Sequence, residues 1–296
     1  MRSQEISGCC LTVAGSDSGG NAGVQADLRA FHSYGLHGCT VFAALTAQNP
    51  FGVKAIHAVP ADFVAAQLDA VLGVYDIRAL KTGMLFVSEV IETVADKLVA
   101  HPEIAKVIDP VMVATSGAKL VSAAAIEMLK ARLLPLATLL TPNIPEAEVL
   151  SGHTISSRAD VRDVARRLFE TFGCAVLVKG GHAVGDLMAA EDTLFDGRNF
   201  SSYAMPWIEN PISTHGTGCS LAAALAAELA LGHPIKTAVE GAKSYVHAAI
   251  ENSFFVGKDC GVLGFQTGSP DKVNATMGRV NASFCSAVHL GCPKCI

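Results

Sequence analysis

Short continuous apolar runs alternate along this chain with longer stretches in which apolar residues recur every three or four positions. The run 9–14 predicts a buried strand. It breaks into Gly15, Ser16, Asp17, Ser18, Gly19, Gly20, Asn21, Ala22 and Gly23, a loop that no regular element tolerates. Val24, Leu28 and Phe31 then recur at helical spacing, with Gly35 as a stop. The alternation continues with strands predicted near 40–45, 77–80, 106–108, 137–140 and 175–178. Helical patterns fall over 61–74, 87–100, 122–133, 158–172, 217–231 and 235–252. Such alternation predicts an α/β fold with a largely parallel sheet covered by helices on both faces. No short repeat and no Pro- or Ser-rich linker divides the body, which predicts one domain over 1–255. From 256 to 296 the periodicity fades, predicting an irregular Cys-containing tail.

Composition narrows the functional classes. Half of the 296 residues are apolar and 17% are charged, enough for a large core and too apolar for general disorder. A net charge of -5 provides no broad basic field, which argues against a nucleic-acid partner and makes any phosphate site local. The amino-terminal apolar run is too short for a secretory signal, so a cytoplasmic protein is expected. The most apolar long segment, 219–231, is interrupted by Glu228 and falls short of the roughly 20 residues a membrane span needs. Nine cysteines without a disulfide rhythm predict reduced thiols. Cys260, Cys285, His289, Cys292 and Cys295 are of zinc-binding type, yet their spacing matches no complete finger, and a loose or redox-sensitive tail is expected instead.

Candidate chemistry concentrates at predicted strand ends and one helix start. His215, Gly216, Thr217, Gly218 and Cys219 precede an Ala- and Leu-rich helix. Two glycines let amides converge there, and the helix tip adds unpaired N–H groups and positive dipole. The segment is either an anion cradle suited to a transferred phosphoryl group or a plain glycine N-cap. Cys219 in the first turn is either a thiolate with pKa lowered by the dipole or a small buried hydrophobe. Lys179, before Gly180 and Gly181, and Lys81, before Gly83 and Met84, end apolar strands, where open parallel sheets bind ligands. Lys179 is there either a phosphate contact or a solvated lysine. Asp109 and Glu146 follow neighbouring strands and as a pair suit Mg²⁺. Asp27 shares the buried face of the first helix, where either a protein donor satisfies it or it faces a ligand pocket. Gln48 carries an amide able to pair with an aminopyrimidine edge, or it merely forms a turn.

Taken in order, Ala14 to Leu28, Ala47-Gln48-Asn49, Lys81-Thr82-Gly83-Met84, Asp109-Pro110-Val111-Met112, Thr141 to Ala147 with Asn143 at its centre, Lys179-Gly180-Gly181-His182 and His215 to Cys219 resemble the hydroxymethylpyrimidine/phosphomethylpyrimidine kinase family. The likeness covers 9–255. It implies a ribokinase-like three-layer sandwich, Mg-ATP as donor, two successive phosphorylations toward thiamine diphosphate, and a homodimer. It also implies roles: Gly15, Asp27, Gln48 and Met84 for the pyrimidine, Asp109 and Glu146 for the metal, and Lys179 and Asn143 for ATP. Gly216, Thr217 and Gly218 would form the anion hole, with Cys219 in the place of the usual base. A cysteine there also occurs in some bifunctional pyridoxal kinases, so a pyridoxal kinase of the same fold is the alternative. A non-catalytic pyrimidine-binding regulator is the other, because Asn21 stands where Gly is usual and the closing Gly-His-Gly-Pro is replaced by Val256-Gly257-Lys258-Asp259-Cys260. A dinucleotide-dependent dehydrogenase is disfavoured by the lack of a clean G-x-G-x-x-G.

Overall fold

The computed structural model describes residues 8–112, 121–180 and 189–265. Its strands are β1 (Cys9–Gly15), β2 (His37–Asn49), β3 (Gly52–Ala58), β4 (Ile77–Thr82), β5 (Ala105–Ile108), β6 (Leu139–Leu140), β7 (Ala175–Val178), β8 (Ala189–Phe195), β9 (Phe200–Pro206), β10 (Phe254–Gly257) and β11 (Cys260–Val262). The helices are α1 (Gly23–Ser33), α2 (Ala61–Leu72), α3 (Ser88–Val99), α4 (Ala123–Met128), α5 (Ile144–Ser151), α6 (Arg158–Phe172), α7 (Thr217–Ala230) and α8 (Ile235–Glu251). Nine strands form one sheet in the order β3-β2-β1-β4-β5-β6-β7-β8-β9. The run β2-β1-β4-β5-β6-β7 is parallel, as predicted. The edges are antiparallel: β3 pairs with β2, and β8 and β9 extend from β7.

Side-chain alternation divides the core. Leu11, Val13, Leu80, Ile108, Leu140, Val176 and Val178 face one layer, built from α2, α3, α4, α5 and α6. Their sequence neighbours Cys10, Ala79, Val107, Leu139, Ala175 and Leu177 face the other, built from α1, α7 and α8. The second layer is lined by alanines at 222, 223, 224, 226 and 227, so α7 lies close against the sheet and is buried nearly all round. This is the three-layer sandwich expected of the sequence.

Several expectations change. The helix predicted over 122–133 shortens to α4 and passes through a π turn into a 3-10 turn at Leu134–Leu136, because Pro135 cannot continue the ladder. The helix α5 was missing from the sequence pattern because it is only eight residues long. Its signals are local, an Asn143–Glu146 capping box and Gly152 in the left-handed region at its end. Regular structure continues past 256, where an irregular tail was expected to start. The β10–β11 hairpin, buried Leu263 and Phe265, whose ring stacks 5.7 Å from that of Tyr245, keep the chain packed on the body through residue 265. The remaining tail, with Cys285, His289, Cys292 and Cys295, and the motif residues Gly181 and His182 lie outside the described residues. The six described cysteines are free. Among the described residues no helix is long and apolar enough to cross a membrane.

Candidate active site

Every parallel strand from β1 to β7 ends on the same rim of the sheet, and the loops that follow carry the candidate residues. At that rim opens a cavity of about 620 Å³, lined among others by Gly15, Asp17, Gln48, Lys81, Met84, His215 and Cys219. Two hairpins form its outer wall: the β2–β3 turn carrying exposed Phe51, and the β10–β11 turn carrying Asp259. The glycines of the first loop allow close approach. A side-chain carbon at Gly15 would lie 2.5 Å from Met84 Cε, and one at Gly23, where φ is +57, would lie 2.4 Å from the Gly15 carbonyl oxygen. Asn21 has ordinary backbone conformation, so the replacement of Gly there strains nothing.

The loop is organised around Asp17. Its carboxylate accepts the amides of Gly19 (2.8 Å), Asn21 (2.9 Å) and Ala22 (2.8 Å) and sits 3.7 Å from His215 Nε2. Burial alone would raise this carboxyl, but His215 and the three amides hold it below the usual range. His215 Nε2 also lies 3.4 Å from Gln48 Nε2, joining the loop to the end of β2. A register shift at Ala47/Gln48 re-aims that strand end.

Asp27 is fully buried and does not line the cavity. The β1–β4 register places Thr12 beside Lys81 under α1, and Asp27 takes both: Thr12 Oγ1 at 2.6 Å and Lys81 Nζ at 3.0 and 2.9 Å. It is therefore Lys81 that reaches the cavity wall. Its ammonium is stabilised despite burial because the carboxylates of Asp27 and Asp109 favour the charged form. A side chain at Gly83 would meet Lys81 Nζ at 2.8 Å, which accounts for that glycine.

The tip of α7 forms the second half. Gly216 has φ +91, and a side-chain carbon there would lie 1.9 Å from the Asn21 carbonyl oxygen, so only glycine lets the tip pack on the first loop. The first helical bond runs from Ser220 N to Gly216 O at 2.9 Å, leaving the Gly218 and Cys219 amides ahead of it, while Thr217 Oγ1 turns back to Thr214 O at 3.0 Å. Cys219 is partly exposed on the cavity. The expectation of a lowered thiol pKa is overturned. Desolvation pushes the thiol up, and Asp27 and Asp109 add to this, outweighing Lys81 and the Gly23 amide. At neutral pH it is a thiol.

On the far side of that tip lies a charged cluster. Lys179 Nζ donates to Asp109 Oδ1 at 2.7 Å, and a side-chain carbon at Gly218 would lie 3.7 Å from the same nitrogen. Desolvation would lower the Lys179 pKa, but Asp109 and Glu146 raise it above the usual lysine value. Burial pushes the Glu146 carboxyl up to about 7, with Lys179 opposing and Asp109 reinforcing the shift. Asn143, expected at the nucleotide, spends its side chain capping α5 at 2.9 Å from the Glu146 amide, while Glu146 Oε2 accepts the Asn143 amide. Among the described residues no three His, Cys, Asp or Glu side chains gather as a metal site. Asp109 and Glu146 around Lys179 are instead a two-carboxylate set, the kind that holds Mg²⁺ when phosphate oxygens and waters complete the shell.

The structure thus brings Gly15, Gln48, Met84 and Cys219 to one cavity and Asp109, Glu146 and Lys179 to the other side of the Gly216–Gly218 tip. Lys81, Asp17 and His215 were not singled out as site residues, although each stood inside a quoted motif.

Known proteins resemble this chain in sequence and in fold. The family model described as phosphomethylpyrimidine kinase matches residues 17–264. The chain is 47% identical to the hydroxymethylpyrimidine/phosphomethylpyrimidine kinase of Synechococcus elongatus, over 86% of this chain and 95% of that protein. It is 50% identical to the thiamine biosynthesis bifunctional protein ThiED of Geobacter sulfurreducens over 82% of this chain, and it spans 49% of that longer protein. In three dimensions it resembles the ADP complex of Bacillus subtilis pyridoxal kinase, with a TM-score of 0.79, 33% identity, and coverage of 88% of this chain and 98% of that one. With a family-model match across most of its length and a 47% identical kinase aligned over 95% of its own, the chain belongs to the phosphomethylpyrimidine kinase family.

Proposed function

We propose that this protein transfers the γ-phosphoryl group of ATP to the hydroxymethyl oxygen of 4-amino-5-hydroxymethyl-2-methylpyrimidine, and then to the resulting monophosphate, in thiamine diphosphate biosynthesis. The observation that carries the reading is the position of the α7 tip. It stands between the cavity that holds Gln48, Met84 and Cys219 and the cluster that holds Lys179 and Asp109.

The pyrimidine sits against Gly15 and Met84 with its amino edge at Gln48, and Asp27 contributes by pinning Lys81. In the first transfer the hydroxyl oxygen bonds to the γ-phosphorus, the bond from that phosphorus to the bridging oxygen breaks, and ADP leaves. The hydroxyl proton passes to solvent at neutral pH, and to the Cys219 sulfur only as rising pH brings its thiolate form. Because such transition states are loose, the chain contributes mainly by positioning and charge stabilisation. The Gly218 and Cys219 amides receive the moving phosphoryl oxygens, and Lys179 meets the donor phosphates. In the second transfer a phosphate oxygen is the nucleophile and needs no base. Asp109 and Glu146 would hold Mg²⁺, which neutralises phosphate charge when bound. The kinase unit takes in at least the β10–β11 hairpin and Phe265, beyond the sequence expectation of 1–255. A cytoplasmic location and a homodimer complete the proposal. Of the two sheet edges, β3 and β9, the β3 edge with neighbouring exposed Leu45 and Phe51 is the one this proposal assigns to pairing.

The likeness to pyridoxal kinase favours a second reading, phosphorylation of pyridoxal in the same cavity. A coupled ADP-release assay with Mg-ATP and each acceptor separates them. Turnover on the pyrimidine and its monophosphate above that on pyridoxal is expected. Turnover on pyridoxal alone replaces the first reading with the second, and binding of pyrimidine without ATP consumption would make the protein a regulator.

A further inference from the structure

The donor side of the site is backed by two buried charges that do not touch the cavity. Asp192 in β8 and Lys243 in α8 are 5% and 8% exposed. Lys243 Nζ donates to Asp192 Oδ2 at 2.6 Å, and the other carboxylate oxygen, Oδ1, accepts the Gly180 amide at 2.9 Å. Gly180 directly follows Lys179. The backbone there is also held from its other side, because the Lys179 amide donates to Pro142 O at 2.8 Å. A side-chain carbon at Gly180 would lie 2.1 Å from the Glu191 carbonyl oxygen, so the segment has no room to shift toward β8.

A neutral acceptor would satisfy the Gly180 amide equally well, and a buried ion pair is weak evidence for stability. Its charges matter because of where they stand. A lone carboxylate one residue from Lys179 would repel incoming phosphates, and the Lys243 ammonium cancels it.

We propose that Lys243, acting through Asp192, is a positioning residue for the phosphate donor: the pair fixes the Gly180 amide, and with it the base of the Lys179 side chain, while keeping Asp192 electrically silent toward the nucleotide. The proposal rests on Lys179 being the donor contact.

Steady-state kinetics with ATP and the pyrimidine varied separately test it. Lys243→Met raises KM for ATP about ten-fold or more, equivalent to ~1.4 kcal/mol. KM for the pyrimidine stays within about two-fold. Asp192→Asn combined with Lys243→Met removes the stranded charge, keeps an acceptor for Gly180, and returns KM for ATP toward the parent value. An unchanged KM for ATP in a folded Lys243→Met protein, parallel changes in both KM values, or a double variant no better than the single one overturns the proposal. Should Lys243→Met fail to fold, the double variant is compared with Asp192→Ala/Lys243→Met, which deprives Gly180 of its acceptor. KM for ATP about ten-fold higher in the alanine pair supports the proposal, and equal values overturn it. Lys179→Met is the control. If it leaves KM for ATP unaltered, the donor reading itself fails; if it raises KM while Lys243→Met does not, only the present inference fails.

Discussion

Replacing Gly216 by alanine tests whether the α7 tip is shaped for chemistry. At φ +91 an L-residue carries a left-handed penalty of about 1–2 kcal/mol. The new carbon would meet Asn21 O at 1.9 Å and Asn21 C at 2.9 Å, both backbone atoms that cannot swing aside. Overpacking of that kind adds about 1–3 kcal/mol. Together these give roughly 2–5 kcal/mol, or a fall in Tm of about 4–20 °C for a domain of this size. Relief of the clash tilts the tip away from the first loop and misdirects the Gly218 and Cys219 amides. Losing one such donor typically costs 10²–10³ in kcat, so a loss of about 10² or more is expected. Gly232, past the other end of the same helix, is the matched control. It has φ +85 with nothing within 4 Å, so Gly232→Ala carries the backbone penalty alone and leaves kcat intact. Calorimetry and the ADP-release assay on both variants decide the matter. A Gly216→Ala protein as stable and as active as Gly232→Ala would refute the reasoning.

Cys219 is a neutral thiol at pH 7, its pKa pushed up by desolvation, so any step that needs thiolate quickens as pH rises toward that raised value. The first transfer should therefore climb through the alkaline range, and the second, whose acceptor phosphate is already ionised above about pH 6, should stay flat. Cys219→Ala should flatten the first profile; identical slopes for parent and variant would leave the sulfur only a packing role. Glu146, with burial pushing it to about 7 against an ordinary 4.5, binds its proton more tightly folded than unfolded. Stability without cation therefore falls as pH rises from 4.5 to about 7, and stabilisation by Mg²⁺ with nucleotide grows over the same window. Glu146→Gln should abolish both trends in thermal melts, and their persistence would remove Glu146 from the metal site. Gln48→Leu should raise KM for the pyrimidine by about ten-fold or more while sparing KM for ATP, because the amide lines the acceptor cavity and not the Lys179 cluster; an unchanged pyrimidine KM would reduce Gln48 to a turn residue.

The central parallel strands were legible because residues buried on both faces make unbroken apolar runs such as Ala-Val-Leu-Val at 175–178. The edge strands were not. β3 is half exposed along its length, and β9 carries Ser201 and Ser202 and alternates between half-buried and exposed positions, so neither offers such a run. The Gly-rich tip and first loop were readable from composition, but their mutual contact at Gly216 and Asn21 joins residues almost two hundred positions apart. The same distance effect hid the fate of Asp27. Its burial followed from helical spacing, whereas its partner Lys81 lies 54 residues on and is set by strand register. The raised Cys219 thiol was also out of reach, since the helix dipole is visible in sequence and the surrounding carboxylates and desolvation are not.

A crystal structure of the protein with Mg²⁺, a non-hydrolysable ATP analogue and the hydroxymethylpyrimidine tests the central claim most directly. The account predicts the terminal phosphate on the Gly218 and Cys219 amides with Lys179 beside it, and the pyrimidine between Gln48 and Met84 with its hydroxyl turned toward that phosphate. A nucleotide bound away from the α7 tip, or a pyrimidine outside the cavity of Gln48, Met84 and Cys219, would contradict it.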